Sequence, residues 1–126
     1  MSHVIDASAV LAFLNEEPGS DAIEALLTDA MISTVNLIEV GTKLVDKGMT
    51  LDEARQVWSA LGLNVKELNE LLAGESVGLR GATRAHGLSL GDRACLALAK
   101  AEGATAVTAD RMWADLDIGC KIEVIR

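Results

Sequence analysis

His3 to Leu14, HVIDASAVLAFL, places a carboxylate where an apolar strand stops and a helix starts. Val4 and Ile5 are β-branched and apolar, as residues of a strand buried in a parallel sheet are. Asp6 ends that run, and Ala7 to Leu14 reads as a helix with Ala, Leu and Phe turned to a core. Open α/β sheets bind ligands just beyond the carboxyl ends of their strands, which is where Asp6 stands. Asp and Ser are also favoured helix caps, so Asp6 or Ser8 taken alone reads equally well as a cap.

The same alternation continues outward. Pro18-Gly19 breaks the chain after the first helix, and Ser20 is placed to cap a second from Asp21 to Leu27. Met31-Ile32-Ser33 is a second short strand, and Thr34 to Lys47 carries Leu37, Val40, Gly41, Leu44 and Val45 at helical spacing, closed by Gly48. Thr50 and Glu53 form a capping-box pattern opening a helix to Ala60. Leu63 to Lys66 is a weak strand. Leu68 to His86 reads as mostly helical, interrupted by Gly74, Gly78 and Gly81. Ser89 to Glu102 is a strong helix rich in alanine, Ala106 to Thr108 a strand, Asp110 to Leu116 a short helix and Lys121 to Ile125 a last strand. Short apolar strands alternating with helices predict an α/β fold, a parallel sheet covered on both faces.

The 126 residues fit one domain, 1–126, and half of them are hydrophobic, so a packed core is expected and disorder is not. Phe13, Trp58 and Trp113 are the only aromatics, which leaves an aliphatic core and little surface for base stacking. No apolar run reaches the roughly 20 residues of a membrane span, and no signal peptide is expected ahead of Val4. Cys95 and Cys120 are too few for a disulfide framework and lack zinc-ligand spacing. A reduced, cytoplasmic protein is the expectation. The net charge of −8 argues against non-specific DNA binding through a basic face, but not against an acidic site that holds cations.

Four carboxylates fall at related places in this layout. Asp6 ends the first strand, Glu39 lies early in the helix after the second, Asp92 lies in the first turn of the Ser89 helix, and Asp110 follows the Ala106–Thr108 strand. Strand ends and the starts of the following helices share one edge of a parallel sheet, so the four can converge. Each has a capping alternative: Glu39 stands three residues after Asn36, Asp92 three after Ser89, and Asp110 precedes Arg111. Asp92 shares its helix face with Cys95, Leu96 and Ala99, which predicts that it points inward. Clustered carboxylates need a proton, a cationic partner or a metal to relieve their repulsion. Oxygen-only ligands suit Mg²⁺ or Mn²⁺, ions that activate water for attack on phosphodiesters.

The stretches VIDASAVLAFL, NLIEV, LSLGDRACLALA and VTADRMWADL resemble the successive signatures of the PIN-domain ribonucleases, most of all the VapC-like toxins of type II toxin–antitoxin pairs. The resemblance implies a PIN-like three-layer sandwich with a central, mostly parallel five-stranded sheet. It implies Mg²⁺ or Mn²⁺ held by Asp6, Glu39, Asp92 and Asp110, with Ser8 and Thr108 supporting the metal shell by hydrogen bonds. It further implies cleavage of RNA, often tRNA or rRNA, a homodimer, and a cognate antitoxin whose peptide lies along a hydrophobic groove.

Other residues take lesser parts. Arg93 and Arg111 each follow a proposed ligand and either steer RNA phosphates or form surface contacts. Asp115 reads as a solvated residue rather than an accessory acid, His3 and His86 as structural, and Cys95 as core. Ala54, Val57, Trp58 and Leu61 form a stripe that packs internally or against another chain. The rival function is a catalytically silent PIN-like module, which would lack the acids, or a nucleotide-binding α/β module, which would carry a Gly-rich turn after the first strand; here all four acids are present and Ala7-Ser8-Ala9 is no such turn.

Overall fold

A strand of three residues, β1 (His3–Ile5), lies at the centre of a five-stranded parallel sheet in the computed structural model, which describes residues 2–126. β2 (Ala30–Ser33) and β4 (Thr105–Thr108) flank it, with β3 (Asn64–Lys66) beyond β2 and β5 (Ile122–Val124) beyond β4. Val4 is level with Met31 and Ala106, and Ile5 with Val107. Successive side chains of a strand point to opposite faces, and the core divides accordingly. Val4 joins Met31, Leu96, Ala99, Ala106 and Trp113 on one side. Ile5 joins Val10, Ile23, Ile32, Val40 and Val107 on the other. Both faces are dry around Val4 and Ile5, and the first polar side chain after them is Asp6. Truncating Ile5 to Ala would cost about 2–5 kcal/mol.

The helices are α1 (Ala7–Leu14), α2 (Ser20–Leu26), α3 (Thr34–Asp46), α4 (Leu51–Ala60), α5 (Glu70–Gly78), α6 (Arg80–Thr83) and α7 (Leu90–Glu102). Along α7 the buried Ala94, Ala97 and Ala99 let the helix approach β1, β2 and β4 closely, and Gly103, at φ +62°, ends it in a left-handed turn. The stripe on α4 packs internally: Ala54 is buried, and Val57, Trp58 and Leu61 are partly buried against the Ile5 side of the core.

Several local expectations differ from the structure. Ser20 does not cap α2; Gly19 stands at the cap position with φ +95°, and no side chain caps the turn. A Cβ at Gly19 would also strike the carbonyl of Ile125. The stretch from Leu68 to His86 is three pieces, α5, α6 and a 3₁₀ turn at Arg84–His86. Asn69 starts α5 by accepting from the Leu72 amide at 2.9 Å. Ser76 and Thr83 turn their hydroxyls back onto the carbonyls of Leu72 and Leu79, both at 2.8 Å, a bond that bends helices. After β4 the chain makes one 3₁₀ turn, Arg111–Trp113, because Trp113 drops its whole side chain into the core.

Candidate active site

Asp6 does both things its position allows. Its backbone is extended (φ −84°, ψ 172°) and it caps α1, accepting from the Ala9 amide at 2.9 Å. Two hydroxyls also serve it: Ser8 Oγ donates at 2.8 Å to Oδ1, and Thr108 Oγ1 donates at 2.7 Å to Oδ2. Ser8 accepts in turn from the Ala109 amide at 3.0 Å, and Thr108 from the Asp110 amide at 3.0 Å. The ends of β1 and β4 are thus knitted together around one carboxylate that is 2% exposed. Burial pushes the Asp6 carboxyl up to about 6, against the three hydrogen bonds that favour its charge, and the charge of Asp92 adds to the rise.

The other three acids surround the same opening. A cavity of about 210 Å³ is lined by Asp6, Ala7, Ser8, Leu11, Glu39, Lys43, Asp92 and Asp110. Glu39 is not paired to a capping Asn36. Ser33 caps α3 instead, accepting from the Val35 amide at 3.2 Å. Asn36 therefore sits inside the first turn, and its amide donates to Glu39 Oε1 at 2.8 Å. Asp92 is only half-buried rather than turned into the core. It closes a capping box with Ser89, its Oδ2 accepting from the Ser89 amide at 2.9 Å. Burial and the charge of Asp110 raise its carboxyl above the usual range. Asp110 caps the 3₁₀ turn, accepting from the Met112 amide at 2.9 Å.

Lys43, one helical turn beyond Glu39, is the residue the sequence did not single out. It is exposed, lines the cavity, and forms no ion pair with any of the four acids. The i, i+4 spacing from Glu39 is the signal that could have found it. Arg93 and Arg111 do not line the cavity. Arg93 donates to the Ser76 carbonyl at 3.1 Å, and Arg111 to the Arg126 carbonyl at 3.2 Å. Asp115 is exposed, His3 and His86 are partly buried, and Cys95 is wholly buried with its thiol pushed far up by burial.

As the side chains stand, no three His, Cys, Asp or Glu among the described residues are grouped closely enough to hold one ion. The donor set nonetheless fits a hard divalent cation: carboxylate oxygens, one of them fixed by hydrogen bonds, around an opening where acid repels acid. Elsewhere, α3 and α4 enclose an apolar groove of about 480 Å³ lined by Leu37, Ile38, Val45, Leu51 and Trp58. No helix among the described residues is long and apolar enough to cross a membrane.

Against known proteins, the PIN domain family profile matches residues 3–119. The chain belongs to the PIN-domain family. The PIN match takes in all four acids, with Ser8 and Thr108. No curated protein sequence matches the chain. The fold is shared with solved toxin–antitoxin structures. A chain of the DNA-bound VapBC complex from Salmonella typhimurium superposes with a TM-score of 0.75 at 18% identity, over 100% of this chain and 99% of that one. A toxin–antitoxin complex from Klebsiella pneumoniae gives 0.72 at 21% identity, over 90% and 91%. VapBC2 from Rickettsia felis, bound to a promoter DNA fragment, gives 0.70 at 20% identity, over 98% of each chain.

Proposed function

We infer that this PIN-domain protein is a metal-dependent endoribonuclease and the toxin of a toxin–antitoxin pair, acting in the cytoplasm. The observation that carries the reading is the single cavity lined by Asp6, Glu39, Asp92 and Asp110 at the carboxyl edge of the sheet. These four residues would hold Mg²⁺ or Mn²⁺, which when bound lowers the pKa of water and neutralises charge on the scissile phosphodiester. Ser8 and Thr108 keep Asp6 oriented and charged, so that it faces the opening rather than the solvent. Burial around Asp6 keeps water from most of its carboxylate and strengthens the charge interactions that Asp6 makes. Lys43 is the cation placed to meet an RNA phosphate at the cavity, whereas Arg93 and Arg111 are engaged by the carbonyls of Ser76 and Arg126. tRNA or rRNA is the proposed substrate class.

Two protein partners complete the reading. A cognate antitoxin fits the apolar groove between α3 and α4, where an amphipathic segment would bury its apolar face against Ile38, Val45, Leu51 and Trp58. A second copy of the chain is the other, as a homodimer. The solved VapBC complexes with the same fold support the antitoxin. The test is a pulse of expression followed by end-mapping of RNA fragments, alongside purified protein with and without EDTA. Growth arrest with discrete new RNA ends, abolished by Asp6→Asn or Asp92→Asn, is expected. Undiminished cleavage by Asp92→Asn in excess EDTA would overturn the enzymatic reading.

A further inference from the structure

Asn36 is 1% exposed, yet its side-chain oxygen has no partner. An aliphatic residue of similar size would avoid the cost of burying an unpaired carbonyl. Both hydrogens of its amide, however, are committed. One goes to Glu39 Oε1 at 2.8 Å and the other to the Gly91 carbonyl at 3.1 Å. Both targets are acceptors, so only the amino end of the side chain satisfies them. Asn36 therefore ties the carboxylate on α3 to the first turn of α7, one residue before Asp92.

Gly91 is the other half of this arrangement. It is buried and its φ is not in the left-handed region, so backbone freedom does not account for a glycine there. Space does. A Cβ at this position would lie 2.8 Å from Glu39 Cδ and 2.9 Å from Oε2. The Glu39 carboxylate occupies the room that a side chain would fill.

We propose that Asn36 and Gly91 are positioning residues that seat the Glu39 carboxylate between α3 and α7, holding it ready for a divalent cation shared with Asp92. The proposal rests on the reading of the acid cavity as a metal site. A ligand whose side chain is otherwise exposed is held in one geometry before the ion arrives, and loss of such support typically costs 10–100-fold in metal affinity.

The variants separate this role from a role in folding. Gly91→Ala improves helix propensity, and the atoms it displaces are the end of a flexible side chain, so the fold is retained. Asn36→Leu removes the unpaired carbonyl and keeps the branched shape, with a somewhat larger side chain. Calorimetric titration with Mn²⁺ alone, with melting temperature measured in parallel, should show Gly91→Ala at least as stable as the parent and Asn36→Leu still folded. Each should bind Mn²⁺ about tenfold more weakly. In a Glu39→Gln background neither change should weaken binding further. If Glu39→Gln weakens Mn²⁺ binding but Gly91→Ala and Asn36→Leu do not, or if they weaken it equally without the Glu39 carboxylate, the positioning role is overturned alone. If Glu39→Gln and Asp92→Asn both leave Mn²⁺ binding unchanged, the metal-site reading falls, and the positioning role with it.

Discussion

The acid cavity has two unlike walls. On the sheet side Asp6 is buried, accepts from Ala9, Ser8 and Thr108, and is held by the ends of two neighbouring strands. On the helix side Glu39 is exposed and Asp92 half-buried, each held by residues of its own first helical turn or the helix facing it. The sheet wall fixes a position in space, at the expense of a carboxylate kept out of water. The helix wall supplies two carboxylates that stay open to water, one of them seated by the Asn36 amide. On the metal-site proposal, the buried wall would place an ion and the open wall would admit it.

The difference can be broken most sharply by removing charge from each wall. Asp6→Asn and Asp92→Asn should each lower RNA cleavage by about 10³-fold or more, roughly 4 kcal/mol of transition-state stabilisation, with circular dichroism unchanged. Fragment assays on a labelled RNA would measure it. An Asp92→Asn protein that cleaves normally would make the helix wall dispensable.

Next in size is a pH effect that is largest at the sheet wall. The folded protein binds the Asp6 proton more tightly than the unfolded chain does, since its carboxyl rises from 3.8 to about 6. The stability from this group is full below pH ~4 and is lost as pH rises through 6, about 3 kcal/mol in all. Urea titrations of chelated protein at pH 4.5 and pH 7.5 should show about 2 kcal/mol of that loss, and Asp6→Asn should remove most of it. A comparable pH dependence surviving in Asp6→Asn would assign it elsewhere.

Hydroxyl deletions sharpen the same contrast. Thr108→Val leaves Asp6 short of a donor and the Asp110 amide without an acceptor, so it should cost about 1–3 kcal/mol of stability. Ser89→Ala removes only an exposed cap from α7 and should cost about 1 kcal/mol. The smallest effect belongs to Lys43→Ala, which should weaken RNA binding roughly three- to tenfold and reduce its salt dependence by about one phosphate contact, with kcat retained.

Much of the sheet wall was readable in the sequence. An acid closing Val4-Ile5, and another closing Ala106 to Thr108, follow from strand patterning and from the place where parallel sheets bind ligands. The helix wall was less so. Asn36 and Glu39 have the spacing of a capping box, and only the position of Ser33 at the end of β2 shows that the cap lies three residues earlier. Asp92 lies on the apolar face of α7 by periodicity, but the first turn of a helix leaves its side chain free to return to the Ser89 amide. Arg93 and Arg111 follow acids in sequence, while their guanidinium groups reach carbonyls on other segments that no local pattern records. Helical periodicity from Leu68 to His86 likewise gave no sign that Ser76 and Thr83 would bond back to the main chain.

The chain has two tryptophans, and they sit in contrasting surroundings. Trp113 is sealed in the core, whereas Trp58 is half-buried, its ring over Gly41 along the groove between α3 and α4. Their emission should therefore separate by wavelength and by quenching with iodide. Trp113 would serve as an internal constant and Trp58 as a native optical gauge of whether that groove is wet or covered.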